Sequence, residues 1–324
     1  MKALVRHKFG GPEVVHIEEV EQPPLEDDRV LVRVRASSIN KADLHSLEGT
    51  PRIVRPLSRN GLLRPKTPLF GSDVAGVVEA VGKDVTGLEP GDEVFGARSG
   101  AYAEYVSAKF LVKKPANVTF EEAGTIGIAG LTALQGLRDK GKLQPGERVL
   151  INGASGGVGT FAVQVARALG ARADAVCSPR NADLVRSIGA DDVIDYAKED
   201  FTRSGRRYDV LLDIAGSRQV SACRRALAPR GTLVLVGGPA GRWLQPAGHV
   251  FAALAMGPLV SQRIALADTV SCPAKKPILM ALTALIEDGK VTPVISRTYP
   301  FHDIQEAVRY QEQGHVPGKV VVSI

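Results

Sequence analysis

Apolar and basic positions alternate from Val30 to Ala36, where LVRVRA follows the first valine. A period of two predicts a strand with one covered face. Val74–Val81 is nearly all apolar, which suits a strand covered on both faces. Turn-forming clusters (GGPE, PPLEDD, GLEPGD and GARSGAY) punctuate the same region, so residues 1–120 read as β-rich. After Phe120 the pattern changes. Short apolar strands at Arg148–Asn152, Arg172–Cys177, Asp192–Asp195, Tyr208–Asp213 and Gly231–Val236 alternate with helical segments. Thr160–Leu169 stops at Gly170, and Ala182–Ile188 stops at Gly189. This alternation predicts a parallel, doubly wound sheet. Ala274–Glu287 reads as a further helix, and a last helix is expected near Ile304–Gln311 among strand and turn signals.

Length and composition narrow the class. The 324 residues suit about two domains, and 44% hydrophobic with 23% charged residues describes a globular chain. No apolar run approaches the roughly 20 residues that span a bilayer. MKALVRHKFGG lacks the apolar centre of a secretory signal, so a soluble, cytoplasmic protein is expected. Cys177, Cys223 and Cys272 lie far apart, which argues against a disulfide framework or a four-cysteine zinc site. The net charge of +6 raises the question of nucleic acid. The basic residues are scattered except for Arg52, Arg55, Arg59, Arg64 and Lys66, and that stretch has no aromatic residues to stack bases. A solvated basic surface that attracts an anionic cofactor is the better reading, with no nucleic-acid partner.

The strand Arg148–Asn152 runs into GASGGVG, Gly153–Gly159, and then into a helix. Strand, glycine turn and helix start are the parts of a dinucleotide site. The unpaired N–H groups and positive dipole end of the helix suit a pyrophosphate. Gly156 would let backbone approach the phosphates, and Gly159 would let the helix pack on the strand. Ser155, Gly156, Gly157 and Val158 are therefore expected to contact cofactor. The first position of the usual GxGxxG is Ala154 here. The tip of the next strand reads Ser178-Pro179-Arg180-Asn181 and has no carboxylate to hold a ribose 2′-hydroxyl. A hydroxyl, a guanidinium and an amide suit a 2′-phosphate instead, so NADPH is the expected cofactor. Asp174 lies in the strand itself, too early for the ribose role.

These motifs, together with GSDVAGVVEAVG, PGDEVFG, AYAEYV, GLTALQ, GADDVIDY and the terminal GKVVV, span essentially the whole chain. In this order they resemble the medium-chain dehydrogenase/reductase superfamily, and within it the quinone oxidoreductase branch that works without zinc. The resemblance implies an α/β protein: a β-rich GroES-like catalytic domain over residues 1–119 and 291–324, and a Rossmann NADPH-binding domain over 120–290. In the superfamily's alcohol dehydrogenases, a cysteine and the histidine of a GHE motif hold zinc. Here those positions read Asn40 and Ser72 (in Gly71-Ser72-Asp73), poor zinc donors. No cysteine occurs over residues 96–113, where the structural-zinc lobe would fall. No metal site is expected. Ser72 and Asp73 are expected to organise their turn.

Without a Lewis acid, and with Ala42 in place of a hydroxyl that would begin a proton relay, alcohol oxidation is disfavoured. The resemblance implies hydride transfer from NADPH to a quinone or to the C=C bond of an α,β-unsaturated carbonyl. It puts Asn40 and Asp43 beside the nicotinamide, Asn40 to hold the cofactor or an acceptor oxygen and Asp43 to brace the turn or take part in catalysis. His45 stands about where relatives have a tyrosine, and it is either a proton donor or a packing histidine. Thr132, Tyr196, Gly237, Gly238 and Lys319 match cofactor contacts, each with a plain structural alternative. Gly49–Lys66 and Pro239–Pro258, with Trp243, Phe251 and Met256, would flank the substrate mouth. Leu259–Leu266 would be the edge strand of a homodimer. An enoyl reductase of lipid or polyketide biosynthesis, and an NADPH-binding structural or regulatory protein with little turnover, are the competing readings.

Overall fold

The computed structural model describes residues 1–52, 61, 63–238, 248, 261–268, 272 and 274–324. By internal contacts the chain divides into two units. One comprises Met1–Ala129, Ala274–Glu287 and Pro293–Ile324; the other comprises Gly130–Pro273 and Asp288–Thr292. The resemblance gives residues 120–290 to the nucleotide-binding domain; by internal contacts, residues 120–129 and the helix Lys275–Glu287 group with the first unit. Asp288–Thr292 joins the second unit because the Gln164 side chain bonds both the N–H and the C=O of Thr292, at 2.8 and 2.9 Å.

The first unit holds a two-stranded ribbon, β1 (Lys2–Arg6) with β2 (Val15–Glu19). Its larger sheet is built from β3 (Val30–Ile39), β4 (Asp73–Val81), β5 (Glu93–Ala97), β6 (Tyr105–Ala108), β7 (Leu111–Lys113), β14 (Ile295–Pro300) and β15 (Lys319–Ser323). The order is β14-β15-β3-β4-β5-β7, with β6 also paired to β3. Val32, Val34, Val74, Val78 and Val94 pack between the faces of this sheet. β3 runs past the predicted end at Ala36 because Ser37 and Ser38 are fully buried and spend their hydroxyls inside the fold. β4 is covered on both faces only over Asp73–Gly76, and Glu79 is exposed. A strand leaving the core needs an apolar residue on only one side.

The second unit is a six-stranded sheet built from β8 (Arg148–Asn152), β9 (Arg172–Cys177), β10 (Asp192–Asp195), β11 (Tyr208–Asp213), β12 (Leu227–Leu235) and β13 (Arg263–Leu266). Every pairing in it is parallel. The order β10-β9-β8-β11-β12-β13 is the doubly wound Rossmann order, and it reverses between β8 and β11. β8 to β11 begin and end at the residues that their apolar runs predict. β12 starts earlier than Gly231, because Leu227 pairs with Tyr208 before a bulge. Among the described residues, no helix is long and apolar enough to cross a membrane.

One glycine of the first unit is fixed by packing. Gly71 has φ +95°, and a Cβ on it would lie 2.6 Å from the Tyr102 ring. We expect Gly71→Ala to cost about 1–3 kcal/mol. Urea unfolding should show this as a lower midpoint at unchanged slope.

Candidate functional site

In the first unit, the short helix Lys41–Glu48 starts at the N-cap Asn40 and is closed by a capping box with Asp43. Asp43 is buried and accepts three bonds, from the Asn40 N–H (2.9 Å), the Ser72 hydroxyl (2.6 Å) and the Tyr102 hydroxyl (3.0 Å). Burial raises its pKa against the pull of these donors. Burial, and then the neighbouring Asp43, push the Tyr102 phenol well above its ordinary value, so it stays a donor. Every one of these contacts braces the turn.

Asp73 is fully buried at the start of β4. Its Oδ1 accepts the Ile128 N–H at 2.6 Å. Its Oδ2 accepts the Ser38 hydroxyl (2.5 Å), the Asn40 amide (2.8 Å) and the Lys319 ammonium (3.2 Å). Lys319, also buried, donates to Asn40 Oδ1 at 2.6 Å. The Asn40 amide is therefore committed at both ends, with a further bond from Nδ2 to the Ser38 carbonyl. Its side chain orients Lys319 and Asp73 and has no donor left for an acceptor oxygen. Lys319 likewise spends its charge on a protein carboxylate.

The same geometry tests a zinc ion at this place. The side chains at the two motif positions are an amide and a hydroxyl, and both are already bonded. An ammonium already neutralises the adjacent carboxylate. This donor set does not fit zinc.

His45 lies in the last turn of the helix, half-buried, with Nδ1 3.0 Å from the Thr50 hydroxyl. Burial, then Lys41, lower its pKa below the ordinary 6.5, so the ring is neutral at pH 7. Two partners in this unit were not singled out by the sequence: Tyr102, which sits inside AYAEYV, and Arg6. The Arg6 side chain is buried, stacks over Phe70 at 5.0 Å and donates to Ser46 at 2.9 Å. Burial draws its pKa down to about 10, so it keeps its charge at pH 7.

In the second unit, the helix Gly157–Ala168 starts at Gly156 with no side chain capping it. A Cβ on Gly159 would lie 2.6 Å from Ala154 backbone, so this glycine is required by helix-to-strand packing. A Cβ on Gly156 would meet nothing closer than Gly153 O at 3.7 Å. No described group fills that space, as a cradle for phosphate requires. Ser155, Gly157 and Val158 are partly exposed at the same helix start.

The tip of β9 lies beside this loop. The Asn181 amide reaches Ser155 Oγ at 3.1 Å. Ser178 is 8% exposed, and its hydroxyl has no partner among the described residues. Arg180 is exposed and makes no ion pair with a described residue. Tyr196, 45% exposed, follows β10 and bonds back to Cys177 through its N–H. The four residues expected at a 2′-phosphate are thus brought to one sheet corner. Asp174 is buried in β9 and bound to Arg148 and Tyr208 at 2.6 and 3.0 Å, away from that role. Thr132 is buried on the helix Ile126–Leu134. A Cβ on Gly237 would collide with the Ile214 carbonyl, so close strand packing by itself requires that glycine. Gly238 is the last described residue before residues 239–247. Pro239–Pro258, with Trp243, Phe251 and Met256, lies outside the described residues except for Gly248, as do residues 53–60 and 62 of the first loop.

A parallel Rossmann sheet with an uncapped, glycine-lined helix start, in one chain with a GroES-type β unit, is the build of a nicotinamide-dependent oxidoreductase. Comparisons agree. Residues 26–116 match the alcohol dehydrogenase GroES-like domain, and residues 188–322 match the zinc-binding dehydrogenase domain. A mouse mitochondrial NAD(P)H oxidoreductase is 34% identical, covering 100% of this chain and 89% of that protein. An Arabidopsis thaliana chloroplastic NADPH-dependent alkenal/one oxidoreductase is 32% identical, covering 99% of this chain and 79% of that protein. The solved quinone oxidoreductase of Coxiella burnetii superposes with a TM-score of 0.85 at 28% identity, over 100% of this chain and 99% of that one. The chain belongs to the medium-chain dehydrogenase/reductase superfamily, in its quinone oxidoreductase-like branch.

Replacing Lys319 by Met would leave the Asp73 carboxylate buried without its cation. We expect a loss of about 3–5 kcal/mol in denaturant unfolding. The double variant K319M/D73N, which removes both charges, should lose less than K319M alone.

Proposed function

We propose that this protein is an NADPH-dependent reductase that delivers hydride to a quinone or to the C=C bond of an α,β-unsaturated carbonyl, without zinc. One observation carries the cofactor preference. Among the described residues, the corner of β9 and β10 presents an unpartnered Ser178 hydroxyl and an unpaired Arg180, and no carboxylate follows β9 at its tip. A 2′-phosphate would take both donors as charge-assisted bonds. A 2′-hydroxyl would leave the guanidinium idle. Tyr196 and Asn181 complete this corner. Ser155, Gly156, Gly157 and Val158 would hold the pyrophosphate at the uncapped helix start. When bound, the reduced nicotinamide supplies the hydride.

The committed Asn40, Ser72 and Asp73 side chains support the zinc-independent reading. Without a metal to polarise an alcohol, an electron-poor alkene or a quinone is the acceptor that remains. Asp43 and Asn40 act in this reading by fixing the turn. The neutral, Thr50-bonded His45 is a poor acid, so solvent protonates the product anion. An enoyl thioester is the second acceptor class. It is favoured by the solved CurK enoyl reductase, which has a TM-score of 0.85 at 27% identity. β13 lies at the sheet edge with Leu266 39% exposed, which supports pairing of two copies there. Residues 259 and 260 of that segment lie outside the described residues.

NADPH and NADH oxidation followed at 340 nm, with a 1,4-quinone, a simple enone and an enoyl thioester, tests this. NADPH should be strongly preferred. R180A and S178A should each weaken kcat/KM for NADPH, R180A by about 10- to 100-fold, with little change for NADH. Equal use of both cofactors by the unaltered protein would overturn the assignment. His45→Gln should lower turnover by less than tenfold, whereas removal of a true general acid costs about 10²–10⁴.

A further inference from the structure

A second chemical site lies on the N-terminal ribbon, apart from every residue used above. In the β1–β2 pairing, Ala3 faces Glu18 and Val5 faces His16. Directly opposed residues share a face of the ribbon, and alternate residues along a strand return to that face. His16 and Glu18 are two apart on β2, and His7 follows Val5 by two at the end of β1. The register therefore brings His7, His16 and Glu18 to one face. The opposite face, with Leu4, Val15 and Ile17, is packed on the core.

The side chains converge as the register requires. Glu18 Oε1 is 3.1 Å from His7 Nε2 and 2.6 Å from His16 Nε2, and its second oxygen is 3.4 Å from His7 Nε2. The two imidazole rings are 5.7 Å apart between centroids, at 46°. One ligand atom from each of the three residues lies within 4.8 Å of the others. Among the described residues, this is the one place where three such groups meet. In a tetrahedral zinc site with N and O ligands at 2.0–2.2 Å, the ligand atoms stand roughly 3.3 Å from one another. Small torsions of exposed side chains cover the difference, since the two imidazoles are 61% and 51% exposed.

We infer that His7, His16 and Glu18 form a binding site for a zinc-class divalent cation, with water completing the coordination. Two imidazoles and one carboxylate are borderline donors that suit zinc over magnesium or calcium. On binding, each Nε2 turns its lone pair to the cation, and any proton held there passes to Nδ1 or to solvent. Glu18 exchanges two hydrogen bonds for one metal bond. The ion then staples the end of β1 to β2. β1 in turn bonds the Tyr102 carbonyl through the Leu4 N–H at 2.8 Å, so the staple secures a strand that holds the bracing tyrosine.

The test is zinc titration of the chelator-stripped full chain by calorimetry, together with cobalt absorption spectroscopy. One zinc per chain is expected. H7A, H16A and E18Q should each weaken binding about tenfold or more, while H302A, a surface histidine outside the cluster, leaves it unchanged. Cobalt should show weak d–d bands without a thiolate charge-transfer band, which separates this site from Cys177, Cys223 and Cys272. Added zinc should raise Tm in the unaltered protein and not in H7A/H16A. No saturable zinc binding, or equal affinity in H7A/H16A, would overturn the inference. The three side chains are exposed or partly exposed, so the variants keep the fold, and unchanged circular dichroism would verify this.

Discussion

The buried ion pair between Asp73 and Lys319 is the constraint around which the first unit is arranged. Two charges taken out of water are costly unless every remaining lone pair and proton is used. Here Ser38, Asn40 and the Ile128 N–H donate to the carboxylate, and the ammonium donates to Asn40 as well as to Asp73. The pair joins β15 to β4, and β3 runs between them in the sheet. The first turn of Lys41–Glu48 is tied to the same array through Asn40. A short helix of that kind has little intrinsic stability, and the network and the Asp43 capping box supply what it lacks.

The same array explains why GSD appears where metal-using members of the superfamily carry zinc donors. Gly71 yields space to Tyr102, Ser72 donates to Asp43, and Asp73 carries the ion pair. All three residues take part in the packing and bonding of this turn. The second unit is organised the other way at the tip of β9, where the Ser178 hydroxyl and the Arg180 side chain have no partners among the described residues.

Most of the second unit was legible in the sequence. Parallel strands covered by helices read as uninterrupted apolar runs, and β8 to β11 stand where those runs do. Gly170 and Gly189, which stop two helices, both have positive φ. The glycine loop stood out because local geometry demands Gly153 and Gly159, the first at positive φ and the second packed against the Gly153–Ala154 backbone. The first unit was harder to read. Ser37 and Ser38 look like the end of a strand, because hydroxyls in a sequence do not announce a buried carboxylate that will accept them. Arg6 looked ordinary for the same reason, the role of Tyr102 within AYAEYV was not legible, and the histidines of the ribbon gave no motif.

The sequence by itself determined the layer type, the parallel, doubly wound sheet implied by βα alternation, the glycine loop and the missing carboxylate after β9. These depend on residues close together in the chain. Only the tertiary structure decided that Asn40 and Lys319 serve each other, that His45 is neutral beside Thr50, and that His7 meets His16 and Glu18. Those outcomes depend on which distant strands pair and in what register, and on burial, which sets both the cost of a charge and the partner that must offset it.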